Sequence, residues 1–154
     1  MTKIIWGHPG IGKTHLRKSS NEVIDFDSDY KSLINLKYNL PKGFKARNEW
    51  RKFNGKLWKH EVLILWRLAV NSAKHLGRTL MVSDMLILRE CSDDLDLVVT
   101  MSKELFIERA KLRNDYNQGS TESWKTNLDE VIGKTTVKTI VTDKFMVDVL
   151  NEIN

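Results

Sequence analysis

The sequence predicts an α/β fold, a parallel sheet of about five strands with helices on both faces. Two observations predict it. Five short runs rich in Val, Ile and Leu alternate with longer amphipathic stretches, the pattern of buried parallel strands joined by crossover helices. The first run opens into a glycine-rich turn, WGHPGIGKT at positions 6–14, and a helical pattern follows it.

Taken in order, strands are expected over 3–6, 22–26, 79–83, 95–100 and 137–142, and helices over 13–19, 57–75, 103–113, 121–132 and 144–153. Gly77 stands where the longest helix should stop, because glycine tolerates the left-handed residue that ends a helix. Ser102 stands where the next should begin, with Glu104 in its first turn. The stretch 36–56 is the least regular, broken by Pro41, Gly43 and Gly55, and reads as an inserted helical or loop region.

The chain has 154 residues, 41% of them hydrophobic and 29% charged, which suits one domain over 1–154 with a core that needs no staples. The single cysteine, Cys91, has no internal partner, so a reducing, cytoplasmic setting is expected. The chain enters its glycine-rich turn at once, without the look of a signal peptide. Its apolar run 62–66 is too short to cross a bilayer, so no membrane partner is expected.

The net charge of +5 is unevenly spread. Residues 37–60 hold eight Lys and Arg against Glu49 alone, a local +7 that leaves −2 for the rest. An anionic partner for that segment is the physical suggestion.

Residues 7–14 fit G-x-x-x-x-G-K-[ST] through Gly7, Gly12, Lys13 and Thr14. Glycines let the backbone curl with its N–H groups aimed at an anion, and the helix after them adds a partial positive charge. Lys13 then reaches the β- and γ-phosphates and the Thr14 hydroxyl takes Mg²⁺. Gly7, His8, Pro9, Gly10, Ile11, Gly12, Lys13, Thr14 and His15 are the candidate nucleotide-binding residues. The His8 side chain, inside the loop, is expected to face solvent.

Asp25 and Asp27 lie two apart at the end of the second strand, so both are expected on one side of it, where ligands of open α/β sheets bind. One suits a water on Mg²⁺; the other suits the proton of a substrate hydroxyl, or a sugar. The competing reading is that they cap the next helix, at whose start Asp29 should fall. The third strand closes on Asp84, a second candidate beside the metal. Arg109 and Arg113 are four apart and share a helix face, an arrangement suited to stabilising a transferring phosphoryl group. The polar stretch 114–120 contains Gly119, as a short mobile lid would.

At these residues the chain resembles the P-loop nucleoside and nucleotide kinases, the group of nucleoside monophosphate kinases and shikimate kinase. The N-terminal loop, the stretch Ile24-Asp25-Phe26-Asp27, and the run from Val98 to Leu105 leading to Arg109 and Arg113 carry the likeness. It implies a P-loop NTPase three-layer sandwich with a short lid at 109–121, ATP and Mg²⁺ as cofactors, and a nucleotide or nucleoside-like acceptor. Lys13, Asp25, Asp27, Arg109 and Arg113 become the candidate catalytic residues, and Thr14, Asp25 and Asp84 the metal-linked ones. The residues after Asp84 depart from the adenylate-kinase pattern, leaving Arg89 as the stand-in for that pattern's arginine.

The basic segment at 36–60 is the candidate acceptor site. Arg47 and Arg51 share a helix face beside Trp50, with Phe44, Phe53 and Trp58 nearby; cations suit a phosphate and aromatics suit a base. Asp27 and Arg89 complete the acceptor candidates. The same segment suits the end of a single-stranded nucleic acid or a modified base in DNA. A kinase for a non-nucleotide alcohol and an ATP-driven switch without an acceptor are the other readings. A monomer or homodimer fits each of them.

Overall fold

The computed structural model describes residues 2–114 and 116–153. The side chain of Phe44, one of the aromatics of the basic segment, lies outside the described residues, as does Asp115 in the expected lid.

The chain forms β1 (Ile4–Gly7), α1 (Lys13–Ser19), β2 (Val23–Asp25), a π-helical turn (Asp27–Lys31) running into α2 (Ser32–Lys37), α3 (Phe44–Phe53) and α4 (Gly55–Leu76). Then come β3 (Thr79–Val82), α5 (Met85–Glu90), a 3₁₀ turn (Ser92–Asp94), β4 (Leu97–Thr100), α6 (Lys103–Leu112), α7 (Gln118–Lys134), β5 (Thr139–Val141) and α8 (Met146–Ile153). The strands make one parallel sheet in the order β2-β3-β1-β4-β5. Its carboxyl ends gather the loops after β1, β2, β3 and β4 along one edge.

The period-two alternation of the strands sorts side chains between two cores. Ile4 and Trp6 of β1, Leu80 and Val82 of β3 and Val98 of β4 face a cluster with Phe26, Val62 and Trp66. Ile5, Met81, Leu97 and Val99 face the other, with Ile11, Leu16, Phe106 and Met146. Helix α4 supplies much of the first cover; α1, α6 and α8 supply the second. Each apolar side chain fully buried this way contributes about 1.5–3 kcal/mol.

The expected punctuation is in place. Gly77 ends α4 with φ 65°, and its N–H reaches the carbonyls of Ala73 and Lys74. The Ser102 hydroxyl caps α6 by accepting from the Leu105 amide. The irregular stretch resolves into α3 and the start of α4, which begins at Gly55, ahead of the expected 57. One local expectation is corrected: β2 ends at Asp25, and Phe26 is already helical (φ −54°, ψ −42°). Asp25 and Asp27 therefore do not share one side of a strand. Asp25 closes the strand, and Asp27 opens the turn after it.

Candidate active site

The loop after β1 is built by main-chain contacts. The His8 amide donates to the Val99 carbonyl (2.9 Å), continuing the β1–β4 ladder, and the Ile11 amide donates back to the His8 carbonyl (3.1 Å). The Ile11 carbonyl accepts from the Met146 amide (2.7 Å) at the start of α8. Gly10 and Gly12 take φ of 84° and 91°, a region that other L-residues enter only at a cost. Gly12 leads into α1, whose first turn has no acid and whose N-cap makes no side-chain bond. Thr14 and His15 are exposed at its start.

Lys13 is half-buried. Burial pushes its ammonium below the ordinary lysine value, opposed by the nearby carboxylates of Asp27 and Asp25 and reinforced by Arg113 and Lys31.

His8 does not face solvent. It is 0% exposed, set edge-on to Phe106 (4.7 Å between centroids), Trp124 (5.7 Å) and Trp6 (6.3 Å). Its Nδ1 donates to the Pro9 carbonyl at 2.8 Å, which leaves Nε2 as the acceptor nitrogen; that atom is buried without a partner among the described residues. Desolvation lowers the ring's pKa to about 4. The physical reason is an aromatic seat supplied by α6 and α7, which draws the ring away from the mouth of the loop.

Asp25 is buried, 2% exposed. Its oxygens accept from the Asp27 amide and the Ser28 hydroxyl, both at 3.2 Å. Burial raises its pKa, against the pull of Lys13. Asp27 accepts from the Ser83 amide (2.9 Å) and from Lys31 Nζ (3.3 Å). Asp29 lies inside the π-helical turn, where it accepts from the Asp25 amide and from Arg17 Nε, both at 3.0 Å. Asp84 caps α5 through the Leu86 amide (2.8 Å) and pairs with Lys31 at 2.7 Å. Lys31 thus joins Asp27 to Asp84. Reading the sequence missed it; its one signal was a position four after Asp27 in an acidic stretch.

Arg109 and Arg113 both reach the loop. Arg109 donates to the carbonyls of Gly10 (3.2 Å) and Asp143 (3.0 Å), with Phe145 under its guanidinium at 4.2 Å. The Arg113 guanidinium lies 3.1–3.3 Å from where a Cβ on Gly10 would stand. Helix α6 ends at Leu112 and α7 begins at Gln118, so the expected lid is a short connection.

In the basic segment, Arg51 lies over the Trp58 ring at 3.9 Å. Trp50 packs on Tyr38 (5.3 Å) and edge-on to Trp58 (6.3 Å). Arg47 is turned back, with Nε donating to the Gly43 carbonyl at 3.2 Å. Arg89 is not brought to this cleft. It is exposed, sits over Met85 Sδ (3.2 Å) and lies with Ser92, Lys134 and Thr135. Five helical residues after Asp84 turn it to another side.

Among the described residues no group of three or more His, Cys, Asp and Glu is placed to hold a metal ion. The fit to a metal–nucleotide pair rests instead on the glycine cradle, where a Cβ on Gly7 would meet Met146 Cε at 2.8 Å and one on Gly12 would meet Phe145 at 3.3 Å. Among the described residues no helix is long and apolar enough to cross a membrane.

Neither a family model nor a curated protein matches the chain. Solved structures match it along nearly its whole length. TT1252 from Thermus thermophilus covers 100% of this chain and 98% of its own at a TM-score of 0.64 and 14% identity. The tunicamycin resistance protein of Deinococcus radiodurans covers 99% and 93% at 0.58 and 17%. A gluconokinase from Sinorhizobium meliloti 1021 covers 98% and 88% at 0.43 and 14%. The first two show that the chain shares their fold, an α/β arrangement with a five-stranded parallel sheet and surrounding helices.

Proposed function

We propose that the chain is an ATP- and Mg²⁺-dependent phosphotransferase acting on a nucleotide or nucleoside-like acceptor, with a (deoxy)nucleoside monophosphate as the favoured substrate. The observation that carries this reading is one juxtaposition. The Gly10–Gly12 turn has Lys13 at its base, Arg113 against Gly10, and Asp25 and Asp27 close enough to act on the Lys13 charge. Cations and carboxylates thus converge on one cradle.

In this reading Lys13 and the loop amides hold the donor phosphates, and Arg113 meets the charge that shifts during transfer. Arg109 ties α6 to the loop and to Asp143, which keeps Arg113 aimed. Mg²⁺, when bound by the Thr14 hydroxyl and through water by Asp25, would neutralise phosphate charge during transfer. Asp84 stays with Lys31. Asp27 orients the acceptor oxygen and takes its proton when that oxygen belongs to a hydroxyl. Arg51 holds the acceptor's anionic group. The acceptor oxygen takes the place of the β–γ bridging oxygen on phosphorus, and ADP leaves.

A second reading, a kinase for a nucleic-acid end, is favoured by one observation. Lys42, Lys45, Lys52 and Lys56 are exposed and make no ion pair with a described residue. The test is transfer of label from γ-labelled ATP, screened over nucleosides, nucleoside monophosphates, small alcohols and short DNA ends. Labelled nucleoside diphosphate supports the first reading and labelled DNA the second.

A further inference from the structure

We propose that the cleft beside the edge strand β2, lined by Arg17, Lys18 and Arg78, binds a small phosphate-bearing molecule, and that its occupant loosens the turn that holds Asp25 and Asp27. The site stands on its own contacts. Its effect on turnover rests on the phosphotransferase reading.

β2 lies at one edge of the sheet. Beside Val23 and Ile24 a cleft of about 620 Å³ opens between the end of α1, Ser20 and Asn21 after it, and the Leu76 end of α4 with Arg78 beyond. Residues 7–14 lie outside its lining, so it is separate from the cradle after β1. The lining carries three cations, Arg17, Lys18 and Arg78, against one acid, Asp29. Lys18 and Arg78 are exposed, and neither makes an ion pair or a side-chain hydrogen bond with a described residue. Glu22, exposed and next to Asn21 in the chain, lies outside the lining. Two guanidinium groups and an ammonium around one opening suit the oxygens of a phosphate. Tyr30 and Leu76 add an apolar wall for the body of an ester, and the Tyr30 ring is fixed there by stacking on Phe26 at 6.2 Å.

Arg17 connects this cleft to the candidate active site. It donates through Nε (3.0 Å) and Nη2 (2.5 Å) to one oxygen of Asp29. The other oxygen of Asp29 accepts from the Asp25 amide at 3.0 Å. Asp25 accepts from the Asp27 amide (3.2 Å), and Asp27 from the Ser83 amide (2.9 Å). The chain of bonds therefore runs from the cleft through Asp29 to both candidate carboxylates. Its first link is weak: the Arg17 and Asp29 side chains are 43% and 21% exposed, and water competes for both partners of such a pair. A phosphate in the cleft draws Arg17 toward itself and sets a second negative charge beside Asp29. Asp29 then loses its counter-charge, and its hold on the Asp25 amide loosens. The effect cannot exceed what the pair contributes, which for an exposed pair is about two- to fivefold in an equilibrium constant.

The test is a titration of isotope-labelled protein followed by amide NMR. The donor site is filled beforehand with Mg²⁺ and a non-hydrolysable ATP analogue, and the probes are inorganic pyrophosphate and ribose 5-phosphate. The amides of Lys18, Asn21 and Arg78 report on the cleft, that of Asp25 on the turn, and those of Gly10 and Gly12 on the loop after β1. Each probe is expected to shift the cleft and Asp25 signals together, with one affinity, and to leave Gly10 and Gly12 in place. Arg78→Gln and, separately, Lys18→Gln should weaken that binding by about three- to tenfold, the loss of one charged contact at an exposed site, with a basal rate within twofold of wild type. At saturating ATP, saturating ribose 5-phosphate should lower the wild-type rate by about two- to fivefold. Tighter binding of ribose 5-phosphate would assign the cleft to phosphate esters, and of pyrophosphate to bare phosphate groups; either supports the proposal. Silent cleft amides, binding unchanged in both variants, cleft shifts without an Asp25 shift, or an unchanged rate in active protein with the cleft filled would overturn it. Cleft and Asp25 shifts in a protein that neither binds the analogue nor phosphorylates any acceptor would count against the phosphotransferase reading and support this one.

Discussion

Arg113 rests on Gly10: its guanidinium stands 3.1 Å from the point where a side chain on that glycine would begin. The contact joins the end of α6 to the middle of the loop after β1. It also gives Gly10 two reasons to be glycine, since φ there is 84°. Gly10→Ala should push Arg113 off the loop and strain the backbone by about 1–2 kcal/mol. The expected outcome is a kcat at least about tenfold lower, with a smaller loss of thermal stability. Steady-state kinetics beside a melting curve check this, and unchanged kcat would remove Arg113 from the transfer step.

The buried ring of His8 should make the protein acid-sensitive. Its pKa is lowered from 6.5 to about 4, so between those values the unfolded chain binds a proton that the folded one excludes. Stability from this source is complete above pH 6.5 and is lost as pH falls toward 4. The shift corresponds to about 3 kcal/mol. Burial dominates; Lys125, Asp129 and Lys13 also face the ring. In His8→Phe, which keeps an aromatic ring in the seat, the loss of unfolding free energy between pH 7 and 4 should be smaller than in wild type by about that amount. Urea unfolding at the two pH values measures it, and parallel losses in both proteins would contradict the account.

Asp25 has the opposite sign. Its folded pKa is raised by burial, so the folded state holds a proton that the unfolded state has released. Its ionised form therefore lowers stability once pH rises through the folded value, and costs nothing below about pH 4. Asp25→Asn should be as stable as wild type or more so at pH 7, while, on the proposed role of Asp25 in holding Mg²⁺ through water, turnover falls by about tenfold or more. Asp27→Asn should instead raise the acceptor's KM and leave that of ATP alone. Equal small effects from both variants would favour a purely structural role in the turn.

What was legible in the sequence was local. The glycine spacing, the Lys13–Thr14 pair and the five apolar runs each specify their conformation within about ten residues, and the strands and the loop lie where those patterns put them. His8 was misread because its seat comes from Phe106 and Trp124, about a hundred positions away, so nothing beside it in the chain signals burial. Arg89 was misread because the direction of a short helix follows from its cap at Asp84 and its packing, which charge spacing does not reveal. The Asp25–Asp27 pair kept its place but lost its assumed strand geometry, because Phe26 turns helical to bury its ring against Trp66 at 5.2 Å. Lys31 was missed because only folding sets Asp27 and Asp84 on either side of it.

The central claim is that the loop around Lys13 holds the donor phosphates for transfer to an acceptor. The most direct measurement is label transfer from γ-labelled ATP to a nucleoside monophosphate by wild type and Lys13→Ala, with circular dichroism confirming that the variant is folded. The account expects labelled nucleoside diphosphate from wild type and a rate at least about a hundredfold lower in the variant, the usual effect of removing one contact to the moving charge. Transfer by the variant within threefold of wild type would contradict it.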